Sequence, residues 1–261
     1  MEENKKVIIE ICCGSAEDAI AAWRGGADRV ELNSNLFLGG ITPTIGALRT
    51  VKKVAPDFPV MCMVRPREGG FCYTETEFQV MLEDAKLLLE HGADGIVFGF
   101  LHEDGRVDRE RCQKMMEVIG DHPAVFHRAI DVVPDWKEAL DILIELGITR
   151  ILTSGKKPTV PEGIDTIREM VEYANGRIEI LPGCGITADN TKWVLQQSGV
   201  DMLHAAMSRE HYDRSCDGNE EIYFGGSVAG PDGKEIYPPE DVFKITHAED
   251  VKAFVESVEK I

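Results

Sequence analysis

Hydrophobic and polar positions follow two rhythms along this chain. Short β-rich runs alternate with longer stretches in which apolar residues recur every three or four positions. The short runs predict strands over 7–13, 29–33, 59–66, 95–101, 124–129, 150–155, 178–183 and 201–207. The longer stretches predict helices over 16–24, 44–54, 75–91, 108–119, 136–146, 161–174, 189–198 and 247–260. Boundary residues agree. Ser15 precedes the first helix, and Thr74 with Glu77 three residues on forms a capping box. Gly25-Gly26, Gly92 and Gly147 fall just past helix ends, where a glycine stops the turn.

A phrase recurs at the entry to strands: GGADRVEL, HGADGIVF, LGITRILT and SGVDMLH. It is a weak echo of one βα unit. Eight such units in 261 residues are the arithmetic of an α/β fold, a single (β/α)8 TIM-type barrel. A doubly wound open sheet would give no reason for the count of eight. No linker divides residues 1–261, so one domain is expected. The irregular segment, about 209–245, reads as an excursion after strand eight. It contains FGGSVAGPDGKEIY, which predicts a hairpin around Pro231-Asp232-Gly233, a candidate lid or oligomer contact.

Apolar residues make up 43% of the chain and charged residues 28%, a globular profile. The formal charge of -18 excludes nucleic acid or an anionic membrane surface as partner, since both need a basic face. The apolar runs are strand-sized and the N-terminus lacks a signal-peptide core, so the expected location is cytoplasmic. Seven cysteines without Cys-x-x-Cys spacing make a poor disulfide or zinc framework.

In a barrel, the carboxyl ends of strands line the functional face. Period-2 alternation puts Glu10 and Cys12 on one face of the first strand, with Glu31 and Asn33 on one face of the second. The third strand leads to Arg65 and Arg67, with Met61 and Met63 as core behind them. The fifth gives His127 and Asp131, the sixth Thr153 and Ser154, and the eighth His204. Strand seven runs into Gly183-Cys184-Gly185, a turn that could cradle phosphate, with Asn190 placed to orient it. The opposite strand ends show no such pattern. Two readings follow. In one, the chain is an enzyme acting on a small anionic metabolite, whose carboxylate or phosphate Arg65 and Arg67 clamp beside the acid/base candidates Glu10, Glu31, His127 and Asp131. In the other, acids and arginines pair with one another to fix register. Cys12, inward at a strand end, is a candidate soft-metal ligand or a buried inert thiol.

Residues 8–209 resemble the CutC family, named for copper homeostasis. The matching phrases are EICCGSAEDA, GGADRVELNSNLFLGGITPT, VRPREGGFCYT, FGFLHEDGRVD, FHRAIDVVPDWKEAL, GITRILTSG and GCGITADN, followed by His204. The resemblance implies a TIM-type barrel, cytoplasmic and homo-oligomeric (a dimer or tetramer), with copper, as Cu(I), as its ion. It places Glu10, Cys12, Glu31, Arg65, Arg67, His127, Arg128, Asp131, Thr153, Ser154, Asn190 and His204 on family motif positions. One position departs: Asn33 stands where many members carry cysteine. A thiol pair across strands one and two would here be reduced to Cys12.

Overall fold

A computed structural model of the chain describes residues 6–219, 221–229, 234–237 and 239–259. Eight parallel strands alternate with eight helices. The strands are β1 (Ile8–Cys13), β2 (Arg29–Leu32), β3 (Val60–Met63), β4 (Gly95–Phe98), β5 (Ala124–Phe126), β6 (Arg150–Thr153), β7 (Glu179–Pro182) and β8 (Met202–Ala205). The helices are α1 (Ala16–Arg24), α2 (Ile45–Val54), α3 (Glu75–Glu90), α4 (Arg109–Ile119), α5 (Trp136–Glu145), α6 (Val160–Ala174), α7 (Thr191–Ser198) and α8 (Ala248–Glu259). β1 pairs with both β2 and β8, and a parallel bridge between Gly183 and His204 joins β7 to β8. The sheet thus closes into a (β/α)8 barrel.

Several strands end earlier than the hydrophobic runs suggest. β5 stops at Phe126, because His127 turns the chain into a 3-10 helix over Arg128–Val132. The His127 ring accepts from the Ala129 amide and caps that turn. β3 likewise stops at Met63 rather than Pro66, because the Arg65 amide turns away from the ladder to the Thr42 hydroxyl.

Ser15 caps α1, and the Thr74–Glu77 capping box is formed in both directions. Each satisfies amides that the first helical turn leaves unpaired.

The apolar residues divide between two cores. Between strands and helices, outward-facing residues such as Ile11, Val30, Cys62, Ile96 and Phe126 meet helix residues such as Met81, Leu88 and Met115. Each large side chain removed from water there contributes roughly 1.5–3 kcal/mol. Inside the barrel, Met61, Met63, Val97, Val125, Leu152, Leu181 and Met202 form a second core. Above it the interior turns polar.

After β8, the chain leaves the barrel. β9 (Arg209–Tyr212) pairs antiparallel with β12 (Val242–Ile245), and β10 (Val228–Ala229) pairs with β11 (Glu235–Ile236). The expected hairpin is therefore flanked by paired strands, while its turn residues Pro231, Asp232 and Gly233 lie outside the described residues. No helix among the described residues is long and apolar enough to cross a membrane.

One close approach ties β6 to its following helix. A Cβ added at Gly163 in α6 would lie 2.1 Å from the Ser154 carbonyl oxygen. Alanine gains roughly 1 kcal/mol over glycine in a helix, but overpacking against backbone costs about 1–3 kcal/mol. Gly163→Ala is therefore expected to destabilise the protein by up to about 2 kcal/mol, read as a lower urea midpoint. An unchanged or raised midpoint would mean that α6 shifts freely on the barrel.

Candidate functional site

The interior polar layer begins with Glu10. Period-2 alternation sends Glu10 and Cys12 of β1 inward, and the register sets Glu10 beside Arg29 on one side and His204 on the other. One carboxylate oxygen of Glu10 pairs with Arg29 Nε. The other lies 2.7 Å from His204 Nδ1. Glu10, Arg29 and His204 are all buried. Burial opposes ionisation of Glu10, but the hydrogen bond from His204 and the charges of Arg29, His204 and Arg150 outweigh it and hold its pKa down at about 2. Burial also opposes a charged His204, yet the Glu10 hydrogen bond and the neighbouring carboxylates push its pKa up.

One step higher, Cys12 pairs across the ladder with Glu31. The Cys12 thiol donates to Glu31 Oε2 at 3.5 Å, and Asn33 Nδ2 donates to the same oxygen at 2.9 Å. His204 Nε2 lies 3.9 Å from that oxygen. Cys12 Sγ, a Glu31 oxygen and a His204 ring nitrogen thus all fall within 4.8 Å of one another. Glu31 Oε1 is buried without a partner. Burial, reinforced by the Glu10 charge, raises the Glu31 pKa. Burial and the Glu31 charge push the Cys12 thiol well up, so it carries its proton. Cys13 faces the other way into the outer core.

Since Glu10 fixes the hydrogen on His204 Nδ1, Nε2 is the nitrogen turned toward Cys12 and Glu31. A carboxylate behind the imidazole and an open nitrogen in front is the usual arrangement of a metal-ligating histidine. Gly183 makes room for this ring: a Cβ there would sit 3.0 Å from His204 Cδ2.

The other expected site residues occupy different surroundings. His127 and Arg65 are buried near one another against Phe71. Arg67 pairs with Glu77 at 2.5 Å and lies over the Tyr73 ring. That salt bridge turns it toward α3, away from an anion in the mouth. Asp131 is committed as an acceptor. It takes bonds from Thr153 Oγ1 at 2.5 Å, Arg128 Nε at 2.9 Å, the Ser154 amide and hydroxyl, and the Lys156 amide. Asp131, Thr153 and Ser154 form a brace between the β5 and β6 loops. Asn190 donates to the Gly185 carbonyl at 2.9 Å and accepts from the Thr187 amide at 2.9 Å, so it pins the turn after β7.

The expectation that strand beginnings carry no polar pattern is overturned. Arg29 and Arg150 are buried, and Arg150 pairs with Glu179 at 2.5 Å. Sequence reasoning missed Arg29 although the signal was present. It lies two residues before Glu31 and so shares its face. Arg150 and Glu179 open their strands, where charge ordinarily reads as surface.

These features define a class: a closed (β/α)8 barrel whose mouth carries a thiol, an imidazole and a carboxylate in mutual reach. The CutC family model matches residues 7–209. A family protein CutC from Treponema denticola is 49% identical over 254 residues, spanning 97% of this chain and 100% of that protein. The human copper homeostasis protein cutC homolog is 41% identical over 222 residues, 85% of this chain and 81% of its own. The crystal structure of a CutC protein from Streptococcus agalactiae superposes with a TM-score of 0.73 at 36% identity, covering 76% of this chain and 98% of that one. The chain belongs to the CutC family.

The buried Glu10–Arg29 pair generates a stability prediction. Glu10→Gln leaves Arg29 buried without a counter-charge and should cost about 3–5 kcal/mol at neutral pH. The folded-state pKa of Glu10 is lowered, so its contribution is full above its ordinary 4.5 and is lost as pH falls toward about 2. In urea unfolding of the metal-free protein, the gap between wild type and Glu10→Gln should close over that window. A gap constant down to pH 2 would show that Glu10 is not held ionised.

Proposed function

We propose that this protein binds a copper ion, as Cu(I), through Cys12 and His204, with Glu31 as the neighbouring carboxylate. The observation that carries the reading is the mutual reach of Cys12 Sγ, Glu31 and His204 within 4.8 Å, with Glu10 orienting the imidazole. The copper homeostasis names of its relatives supply the ion. Thiolate is a favoured ligand of Cu(I), and imidazole suits copper generally. Asn33 supplies no second thiol, and its amide hydrogen-bonds Cys12 Sγ weakly at 3.7 Å.

The fit is that of a mixed site rather than an all-sulfur one. One thiol, one imidazole and one carboxylate make a set that softer and harder ions could share. A reducing compartment such as the cytoplasm keeps both ion and thiol reduced. The seven cysteines are all free, in keeping with that setting. Binding exchanges protons for the ion: Cys12 gives up its thiol proton, and His204 gives up one when charged. Copper is the cargo here.

Three outcomes test this reading together. In an anaerobic Cu(I) titration against a competing chelator, Cys12→Ala should abolish stoichiometric binding. Glu10→Gln, which leaves the ligands but loosens His204, should weaken it about 10–100-fold. Because burial holds the Cys12 thiol protonated, and a charged His204 adds a second proton to release, the apparent affinity should rise at least about tenfold per pH unit between pH 6 and 8. Binding that is indifferent to both Cys12→Ala and pH would sink the proposal.

A further inference from the structure

Arg65 is the buried cation that the fold leaves unbalanced. It is 7% exposed and, among the described residues, has no acidic partner. Its Nη1 donates to the carbonyls of Leu38 (3.1 Å) and Gly40 (3.0 Å), and its Nη2 to Gly69 (2.8 Å). Its Nε is buried and meets no acceptor. Arg29, Arg67, Arg128 and Arg150 each pair with an acid. A chain of formal charge -18 has acids in surplus, yet none stands beside Arg65. A buried guanidinium that meets only uncharged oxygens, three carbonyls and the Tyr73 hydroxyl beside it, is an expensive arrangement until an anion joins it.

His127 stands close by with the same deficit. Its Nδ1 accepts from the Ala129 amide at 3.1 Å, which puts the ring hydrogen on Nε2. Nε2 is buried and has no partner. Burial, with the charge of Arg65 added, lowers its pKa to about 3, so the ring is a neutral donor. The ring cannot retreat: it fills the space over Gly99, where a Cβ would lie 2.4 Å from Cε1. The Phe71 ring is 4.7 Å from the His127 ring, and the Arg65 guanidinium carbon lies 5.5 Å from that same Phe71 ring. Two buried N–H groups without acceptors therefore lie around one aromatic side chain.

We infer that the barrel mouth binds a small monocarboxylate, its oxygens accepting from Arg65 Nε and His127 Nε2, with the half-buried Phe71 as the side chain that yields to admit it. A single unbalanced cation suits one negative charge. A phosphate dianion would bring a second, with no second unbalanced buried arginine among the described residues to meet it: Arg29 and Arg150 already have their acids. The neutral imidazole adds a directed dipole without adding charge. This site shares no residue with the copper ligands and does not rest on the copper reading.

The test uses wild-type protein labelled with 15N in its histidine rings, titrated with acetate, glycolate and pyruvate, and separately with inorganic phosphate. The expected result is a shift of the His127 Nε2–H resonance with at least one carboxylate. Calorimetric affinity for that carboxylate should fall at least about tenfold in His127→Asn, where the amide oxygen can still accept from Ala129 but the Nε2–H donor is gone. Arg65→Lys should weaken it comparably, because lysine lacks the forked donors. Copper binding by His127→Asn should match wild type, so failure of either reading is seen separately. A resonance unmoved by all three acids at tens of millimolar would overturn the inference. So would equal affinity in wild type and His127→Asn, or tighter binding of phosphate than of any carboxylate. The wild-type spectrum decides the matter even where a variant fails to fold.

Discussion

The polar interior of this barrel depends on one carboxylate kept ionised out of water. Glu10 sits between Arg29 and His204, and each neighbour satisfies one of its oxygens. An isolated ion at that depth would be untenable. Paired on both sides, it becomes the fixed charge that sets the state of its surroundings. It turns the His204 ring so that Nε2 faces the mouth. Its negative charge also raises the pKa of Glu31 and contributes to that of Cys12. The resting cluster thus gathers groups whose hold on their protons is strengthened around one anchored anion.

That arrangement follows from barrel geometry. Adjacent parallel strands place inward residues in register, so Glu10 meets Arg29 and Cys12 meets Glu31 without any loop to position them. Closure of the sheet brings β8 against β1, and His204 reaches Glu10 across 194 residues of sequence. Ligands borne on strands are held more rigidly than ligands on loops. The loops contribute bracing instead. Asp131 gathers Thr153, Ser154, Lys156 and Arg128, and Asn190 fastens the turn after β7.

The barrel was legible because its two rhythms are local: strand periodicity, helix periodicity and capping residues all lie within a few positions. Cys12, Glu31 and His204 were each legible as residues at strand ends. Their mutual reach was not, since it depends on closure between the first and last strands. Arg67 misled for a related reason. It looks like Arg65 in sequence, but Glu77, which builds the capping box of α3, also captures it. Arg29 was passed over because a charge early in a strand reads as surface. The residues that decide the chemistry are those whose partners lie far away in the chain.

The proposed copper site consists of one sulfur and one imidazole, with Glu10 behind the ring. Copper K-edge X-ray absorption on the protein loaded anaerobically with one equivalent of Cu(I) reads that ligand set. A single sulfur scatterer together with the outer-shell pattern of one imidazole is expected. A spectrum with two or more sulfurs, or one without imidazole scattering, would contradict it and place the ion elsewhere among the cysteines and methionines.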